Sequence, residues 1–404
     1  MYFSLSWRNI WRNKKRTIIA AASVFFAVLL AIVMRSAQHG SYAYMIDSSA
    51  KLFTGYLQVQ APGYWDNRSL DKSITLSDKQ IKEIESIPEL TSATPRLEAF
   101  ALVSFDSSTK VAQIIGIDPD LEEHMTNLKE KMVGGKYLNQ SSDGALVAQG
   151  LAKMLRVGVG DSIVIYGQGY HGQIAAARLP ISGIVKMPFQ EMNNGLVYLT
   201  LPNAQVIYSA YDRITSLALM ISDIRFLDNV LHQLKSQLGS DYVVMTWDEM
   251  MPDLVQNIQL DNASGIIMLI ILYIVITFGV FGTVMMMVSE RIKEFGILIS
   301  VGMRKWKLII VTTIETILIS IVGVIAGIFG SIPIVWYLHN NPIPITGEAT
   351  KTFDSLGIEP IFNFSIDPTI FMMQALVVLL IAFGTAIYPL LFIRKIEPVK
   401  AMHK

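Results

Sequence analysis

Apolar residues along this chain are gathered into four long runs. Thr17 to Met34 covers 18 residues, Ser264 to Val288 covers 25, Leu308 to Leu338 covers 31 with one acid, and Thr369 to Ile393 covers 25. A hydrocarbon core about 30 Å thick takes about 20 helical residues to cross, so each run predicts a membrane span. Transmembrane helices are accordingly placed at 17–38, 264–288, 308–338 and 369–393. The first run begins straight after a basic cluster and shows no small-x-small cleavage site, which separates it from a secretory signal.

Between the first two runs, 39–263 reads differently, as short alternating strands and a few amphipathic helices, and is long enough for its own core. A strand at Tyr56–Gln60, a helix at Ser77–Ile87 with Asp78 and Glu83 in its early turns, and a strand at Glu98–Phe105 form one βαβ-like unit. The order recurs near the end, with a strand at Ser216–Ile221, a helix at Arg225–Leu238 stopped by Gly239, and a strand at Tyr242–Thr246. The middle is β-rich, at Val111–Ile117, Ser162–Tyr166, Leu179–Val185 and Leu196–Leu199, with one helix over Ala145–Leu155. This pattern predicts a split α+β module carrying an inserted second module. A helix over Trp247–Ile258 is expected to feed the second span with little linker. Together with the stretch after Arg35 it would make a rigid stalk. The fold class is thus an α-helical membrane protein with four transmembrane helices and a large α+β extracytoplasmic domain.

Composition supports a membrane protein. Of 404 residues 52% are hydrophobic and 16% charged, against about 25% charged in soluble domains, and the mean hydropathy is +0.43. The absence of cysteine excludes a disulfide scaffold, a thiolate metal site and a lipidated Cys anchor. The 33 basic and 33 acidic residues cancel, which gives no reason to expect nucleic-acid binding. Their distribution is far from even. Segments 1–16, 289–307 and 394–404 carry a net charge of +11, whereas 39–263 carries −8 and 339–367 carries −3. The positive-inside rule therefore assigns 1–16, the short link 289–307 and the tail 394–404 to the cytoplasm, and 39–263 and the loop 339–368 to the other side.

No enzyme signature survives inspection. Gly167-Gln168-Gly169-Tyr170-His171-Gly172 has dinucleotide-fingerprint spacing, but Pro180 and strand-like residues follow where a helix is required, so a hairpin loop is predicted. Gly158-Val159-Gly160-Asp161 matches the GxGD of intramembrane proteases, yet it lies about 100 residues from any span and reads as a turn. HExxH, Gly-x-Ser-x-Gly and CxxC do not occur, and the His residues lack metal-ligand spacing. Gly134-Gly135-Lys136-Tyr137 falls short of a phosphate-binding loop. ATP-driven work by this chain would need a separate ATPase.

Three features inside the apolar and basic segments carry the functional reading. Glu315 lies eight residues beyond Lys307, roughly 12 Å along a helix. An acid there is costly unless it faces protein or water, and pairing with Arg304, Lys305 or an N-terminal base is expected. Gly323 and Gly327 form a GxxxG, with Ser331 a step further, suited to close helix contact within one chain or between two. The link from Ser289 to Lys307 spaces Ile292, Phe295, Leu298 and Val301 at near-helical intervals. An apolar stripe beside so many charges needs lipid headgroups or a protein groove to cover it.

At this link the chain resembles the permease subunits of the MacB/FtsX/Lol superfamily of ABC transporters. The family pattern after the second span appears as Arg291, Glu294, Phe295, Gly296, Ile297, Leu298, Ser300, Val301 and Gly302, with Ile299 where a basic residue is often found, and the acid of the next span as Glu315. The family's closing motif appears as Tyr388, Pro389, Arg394, Pro398, Val399 and Ala401, and its opening one as Trp7 to Thr17. Gly55–Tyr64 and Thr246–Pro252 look like lipoprotein-releasing permeases of the LolC/LolE type.

The resemblance implies a MacB-like periplasmic core with an FtsX-like permease domain in the cell inner membrane. It also implies a non-catalytic subunit with no cofactor of its own, ATP and Mg being held by a partner ABC-type ATPase, and a second permease, identical or sibling, forming a dimer in membrane lipid. Arg291, Glu294, Phe295, Gly296, Leu298, Val301, Gly302 and Arg304 would couple to that ATPase, with Phe295 and Leu298 entering its groove. A lipoprotein substrate handed to a periplasmic carrier is the output the LolC/LolE likeness implies. Efflux in the manner of MacB and signalling to a cell-wall hydrolase in the manner of FtsX are the family's other outputs.

Overall fold

The computed structural model describes residues 2–12, 14–347 and 361–395. Its chain forms two compact units, one of Met1–Ala43, Asn257–Pro344 and Ile361–Lys404, the other of Tyr44–Gln256 and Ile345–Pro360.

A short helix α1 (Tyr2–Arg12) precedes the long α2 (Lys14–Ser49), which ends in one π-helical turn at Ala50–Thr54. The second unit then begins with β1 (Leu57–Gln60), α3 (Asp78–Glu85) and β2 (Leu90–Phe105). Ser77 and Gln80 start α3 with a reciprocal capping box, the Gln80 N–H donating to Ser77 Oγ at 3.3 Å and the Ser77 N–H to Gln80 Oε1 at 3.0 Å. The inserted stretch runs β3 (Ser108–Ile117), α4 (Pro119–Thr126), β4 (Met132–Gly135), β5 (Ala145–Ala148), α5 (Gln149–Leu155), β6 (Ser162–Gln168), β7 (Ile174–Val185), α6 (Gln190–Gly195), β8 (Leu196–Thr200) and α7 (Leu201–Ile207). The unit closes with β9 (Ser216–Ile221), α8 (Leu227–Leu238), β10 (Val243–Thr246) and α9 (Trp247–Met250).

Strands from both ends of this unit interleave in the order β10-β1-β9-β2, every neighbouring pair antiparallel. That is the split βαβ arrangement expected from the repeated order of elements. The insertion forms the second module. β2 continues past β9 and pairs with β3; from there the order is β3-β8-β5-β7, and β6 joins β7 back to β2. Six strands thus close into a barrel. Strand alternation fills its interior: Ala99, Ala101 and Val103 of β2, Ala112 and Ile114 of β3, Ile163 and Ile165 of β6 and Val197 and Leu199 of β8 belong to one buried cluster. The alanines are what a small barrel can accommodate.

Two readings of this unit change. Ala145–Leu155, expected to be all helix, starts as β5, because Ala145–Ala148 is held between β7 and β8 with all four positions buried; the helix begins only at Gln149. Short apolar runs do not reveal by period which of the two they become. The helix expected over Trp247–Ile258 is interrupted at Met251 (φ −125°, ψ 61°), as suits a residue preceding proline. The two glycine motifs are local connections. Gly167–Gly172 joins the antiparallel β6 and β7, and the Gly158 N–H donates to Asp161 Oδ2 at 2.8 Å in a turn.

Where β2 leaves one sheet for the other, it buries charge. Arg96 has no exposed surface and donates to both carboxylate oxygens of Glu122 on α4, at 2.9 and 2.7 Å, and to the Phe53 carbonyl. Glu98, two residues on, accepts from Gln113 Nε2 at 2.9 Å and Ser216 Oγ at 3.3 Å, with Arg68 at 4.0 Å. Burial pushes the Glu98 carboxyl above its ordinary range, opposed by Arg68 and Arg96 and assisted by Glu122.

The first unit resumes with α10 (Pro252–Glu290), α11 (Ile292–Ser300) and α12 (Lys305–Asn340), a two-residue pairing of β11 (Ile343–Pro344) with β12 (Ile361–Phe362), and then α13 (Pro368–Thr385) and α14 (Ile387–Arg394). Among the described residues four stretches, Thr17–Thr54, Pro252–Glu290, Lys305–Asn340 and Pro368–Arg394, are long and apolar enough to cross a membrane. The last is divided at Ala386. Pro389 lacks an N–H and its ring crowds the carbonyl of Thr385, four residues back, and the Thr385 hydroxyl turns to the Ala382 carbonyl at 2.7 Å. Val24, Val28 and Ile32 of α2, Val284 of α10, Val324 of α12 and Val378 of α13 form the core of the bundle. Pro398, Val399 and Ala401 of the expected closing motif lie outside the described residues.

The raised Glu98 fixes the sign of a pH effect. A folded state that holds the proton above the unfolded carboxyl range loses stability as pH rises through that window. Glu98→Gln removes the loss. The variant's advantage over wild type, read from hydrogen-exchange protection of β2 in the full chain, should therefore be larger at pH 8 than at pH 5. An equal difference at both pH values would contradict the assignment.

Candidate functional site: the helix break at Arg291

α10 stops at Glu290, and Arg291 (φ −97°, ψ 7°) turns the chain into the nine-residue α11. The guanidinium points back into the bundle, where Nη1 meets Glu315 Oε2 of α12 at 2.6 Å. Both residues are buried. The partner expected for Glu315 was Arg304, Lys305 or an N-terminal base. Arg291 takes that place because Arg304 sits at the start of α12, more than two helical turns from Glu315 along the same axis, whereas the end of α10 passes beside it. Arg291 is therefore an internal anchor.

Phe295 follows one turn later and is also internal, packed with Val288, Leu308 and Ile393. Ile297, Leu298 and Val301 face outward, Val301 being 83% exposed. The stripe Ile292, Phe295, Leu298 and Val301 does not lie on one face. Three-residue steps fall short of a 3.6-residue turn, so the row drifts by about 60° per step, and begins inside and ends outside. Gly296 is buried. Glu294 is exposed and reaches Arg12 of α1 at 3.5 Å, an ion pair of small energetic weight in that setting.

The link ends as sharply as it begins. Gly302 has φ +104°; its N–H donates to the Ile299 carbonyl at 3.0 Å and the Met303 N–H to the Leu298 carbonyl at 2.9 Å. These are the two bonds of a Schellman motif with its left-handed glycine. Arg304 then stands exposed and extended at the N-terminus of α12. Of the eight residues placed in this site from sequence, Arg291, Phe295 and Gly296 are buried, Gly302 shapes the turn, and Glu294, Leu298, Val301 and Arg304 are exposed.

Gly323 and Gly327 pack inside the chain. A Cβ on Gly323 would lie 2.7 Å from Val24 Cβ and 2.8 Å from the Ala21 carbonyl oxygen; one on Gly327 would lie 2.7 Å from Val28 Cβ and 3.0 Å from the Phe25 carbonyl oxygen. The matching four-residue steps on α12 and α2 bring the two backbones together.

Two polar contacts of the bundle were not picked out from sequence. Tyr273 of α10 donates to Gln374, a buried amide on α13; a lone glutamine within a 25-residue apolar run was the available signal. Arg35 donates to Gln38 and to Asn262 Oδ1, the latter at 3.0 Å. Gln38 Nε2 donates to Tyr42 Oη at 2.7 Å, and Tyr42 donates to Asp261 at 2.6 Å. These bonds tie α2 to α10 side by side.

With this geometry in place, comparison with known proteins decides the family. Residues 17–253 match the family described as the MacB-like periplasmic core domain, and residues 266–398 the one described as the FtsX-like permease C-terminal. The chain belongs to the MacB/FtsX/Lol superfamily of ABC-transporter permeases. The protein named lipoprotein-releasing system transmembrane protein LolC from Xylella fastidiosa (strain 9a5c) is 25% identical over 331 residues, 78% of each chain. The protein named LolE of the same system from Haemophilus influenzae is 21% identical over 313 residues, 74% of each. The crystal structure of the periplasmic region of MacB from Actinobacillus actinomycetemcomitans aligns with a TM-score of 0.37 at 16% identity, covering 51% of this permease and 95% of that chain.

In this permease the ion pair dictates the outcome of mutation. Arg291→Met or Glu315→Met alone leaves one buried charge unpaired and should cost about 3–5 kcal/mol, whereas the double replacement should recover most of it. Thermal unfolding of the three variants in detergent reads this directly; additive losses would refute the pairing. Gly327→Leu should destabilise by about 1–3 kcal/mol through overpacking against Val28, seen in the same assay as a lowered midpoint.

Proposed function

We propose that this chain is the membrane subunit of an ATP-driven assembly that releases lipoproteins from the inner membrane. The observation that carries the coupling part is the form of α11: it is anchored internally by Arg291 and Phe295, and it offers Ile297, Leu298 and Val301 outward beside Lys305 and Arg304. An apolar tip on a fixed base suits insertion into a groove of a separate ATPase, which would hold ATP and Mg. Four helices cross the membrane in this reading, with 1–16, 289–307 and the tail in the cytoplasm and the α+β domain in the periplasm.

Closure of the ATPases moves α11, and α10 and α12 carry the displacement through the membrane. The bonds between α2 and α10 keep the two helices that lead to the periplasmic domain moving together. A second permease, identical or sibling, completes the cavity from which acyl chains leave the bilayer for a periplasmic carrier. Burial of each CH₂ is worth about 0.8 kcal/mol, so extraction of several acyl chains is uphill enough to need ATP. The lipoprotein output is supported by similarity to LolC and LolE along most of the chain.

Two measurements test this. Leu298→Asp combined with Val301→Asp should abolish co-purification with the ATPase while the chain still inserts, since both side chains are exposed; retained binding would refute the docking face. Depletion of the chain should strand mature lipoproteins in the inner membrane. Normal sorting with drug sensitivity would instead favour efflux.

A further inference from the structure

The ion pair at the helix break is incompletely satisfied. Arg291 Nε and Glu315 Oε1 are buried without a hydrogen-bond partner among the described residues, on side chains only 7% and 5% exposed. A donor and an acceptor left unmet in an apolar surrounding are costly. Both residues line a cavity of about 430 Å³, whose wall also includes Asn9 and Arg12 of α1, Glu294 of α11, and apolar Leu308.

Helix α1 indicates what enters. Its Ser6 and Ile10 are buried, the Ser6 hydroxyl donating to the Val311 carbonyl of α12 at 3.0 Å. Phe3, Trp7 and Trp11, at four-residue steps along the helix, are exposed. Aromatic side chains gathered on the free face of an amphipathic helix settle at a membrane–water boundary. Asn9 and Arg12 on the same helix then stand at the depth of lipid headgroups. The charges around the cavity also select. Arg12 and Arg291 are balanced by Glu294 and Glu315, so a ligand with a phosphate and an ammonium meets a partner at each end, whereas a purely anionic one leaves both carboxylates unanswered.

We propose that this cavity binds a zwitterionic phospholipid, its phosphate toward the Arg12 and Arg291 guanidinium groups and its ammonium toward the Glu294 and Glu315 carboxylates. The assignment rests on reading the long helices as membrane-spanning. A bound headgroup would bridge α1, α11 and α12 and stiffen the base on which the docking tip is carried.

The full-length chain, recovered from carbonate-washed membranes and stripped of lipid in detergent, is titrated by native mass spectrometry. The probes are dioleoylphosphatidylethanolamine, dioleoylphosphatidylglycerol and free phosphoethanolamine. Wild type should prefer the ethanolamine lipid by about tenfold, the effect of one charge-assisted hydrogen bond. Glu315→Gln should erase that preference. Arg12→Gln, at an exposed side chain that can be changed without loss of the fold, should weaken ethanolamine-lipid binding, and free phosphoethanolamine should compete poorly. Equal affinity of wild type for the two lipids, unaltered binding by Arg12→Gln, or full competition by phosphoethanolamine would overturn the proposal. A chain found only in the soluble fraction overturns the membrane reading as well, a result distinct from a membrane-recovered chain without lipid preference.

Discussion

A charge withdrawn from water must be paired, and that constraint governs both units of this permease. In the helical unit it places Arg291 against Glu315. Because the two are buried together, the end of α10 is committed to one level of α12, and α11 must leave at that point. The link 289–307 is thus a fixed elbow. In the α+β unit, Arg96 and Glu122 impose the same commitment where β2 passes from the split βαβ sheet into the barrel. Each pair stands at a junction of substructures. Buried ion pairs contribute little net stability against apolar replacements, but they penalise every arrangement in which one member is left alone.

Around these anchors the two units are held by different means. The barrel follows the rules of a soluble core, with alternate residues of six strands turned inward and water excluded from them. The helical bundle has no such driving force between apolar surfaces in lipid. Its cohesion comes from close backbone approach at Gly323 and Gly327 and from hydrogen bonds such as Tyr273 to Gln374 and Tyr42 to Asp261. Contacts of this kind are few and directional.

The elbow also accounts for the mixed character of its signature residues. Arg291, Phe295 and Gly302 hold the shape of the link, whereas Leu298 and Val301 are left exposed. The same short segment thus has to satisfy an interior and an exterior at once, and the two roles alternate along it as the helix turns.

The sequence alone determined the four apolar helices, the repeated strand-helix-strand order that produces the split sheet and the turn character of both glycine motifs. Each of these depends on composition or period within a short window, and local chemistry is enough to express it. The tertiary structure decided the rest. Whether Ala145–Ala148 becomes strand or helix depends on the two strands that flank it. Glu315 pairs with Arg291 rather than Arg304 because helices that are distant in sequence pass at the same level. The GxxxG joins α12 to α2, and Phe295 turns inward while Val301 turns outward. These outcomes depend on which surfaces meet across more than twenty residues of chain, and no local pattern carries that distance.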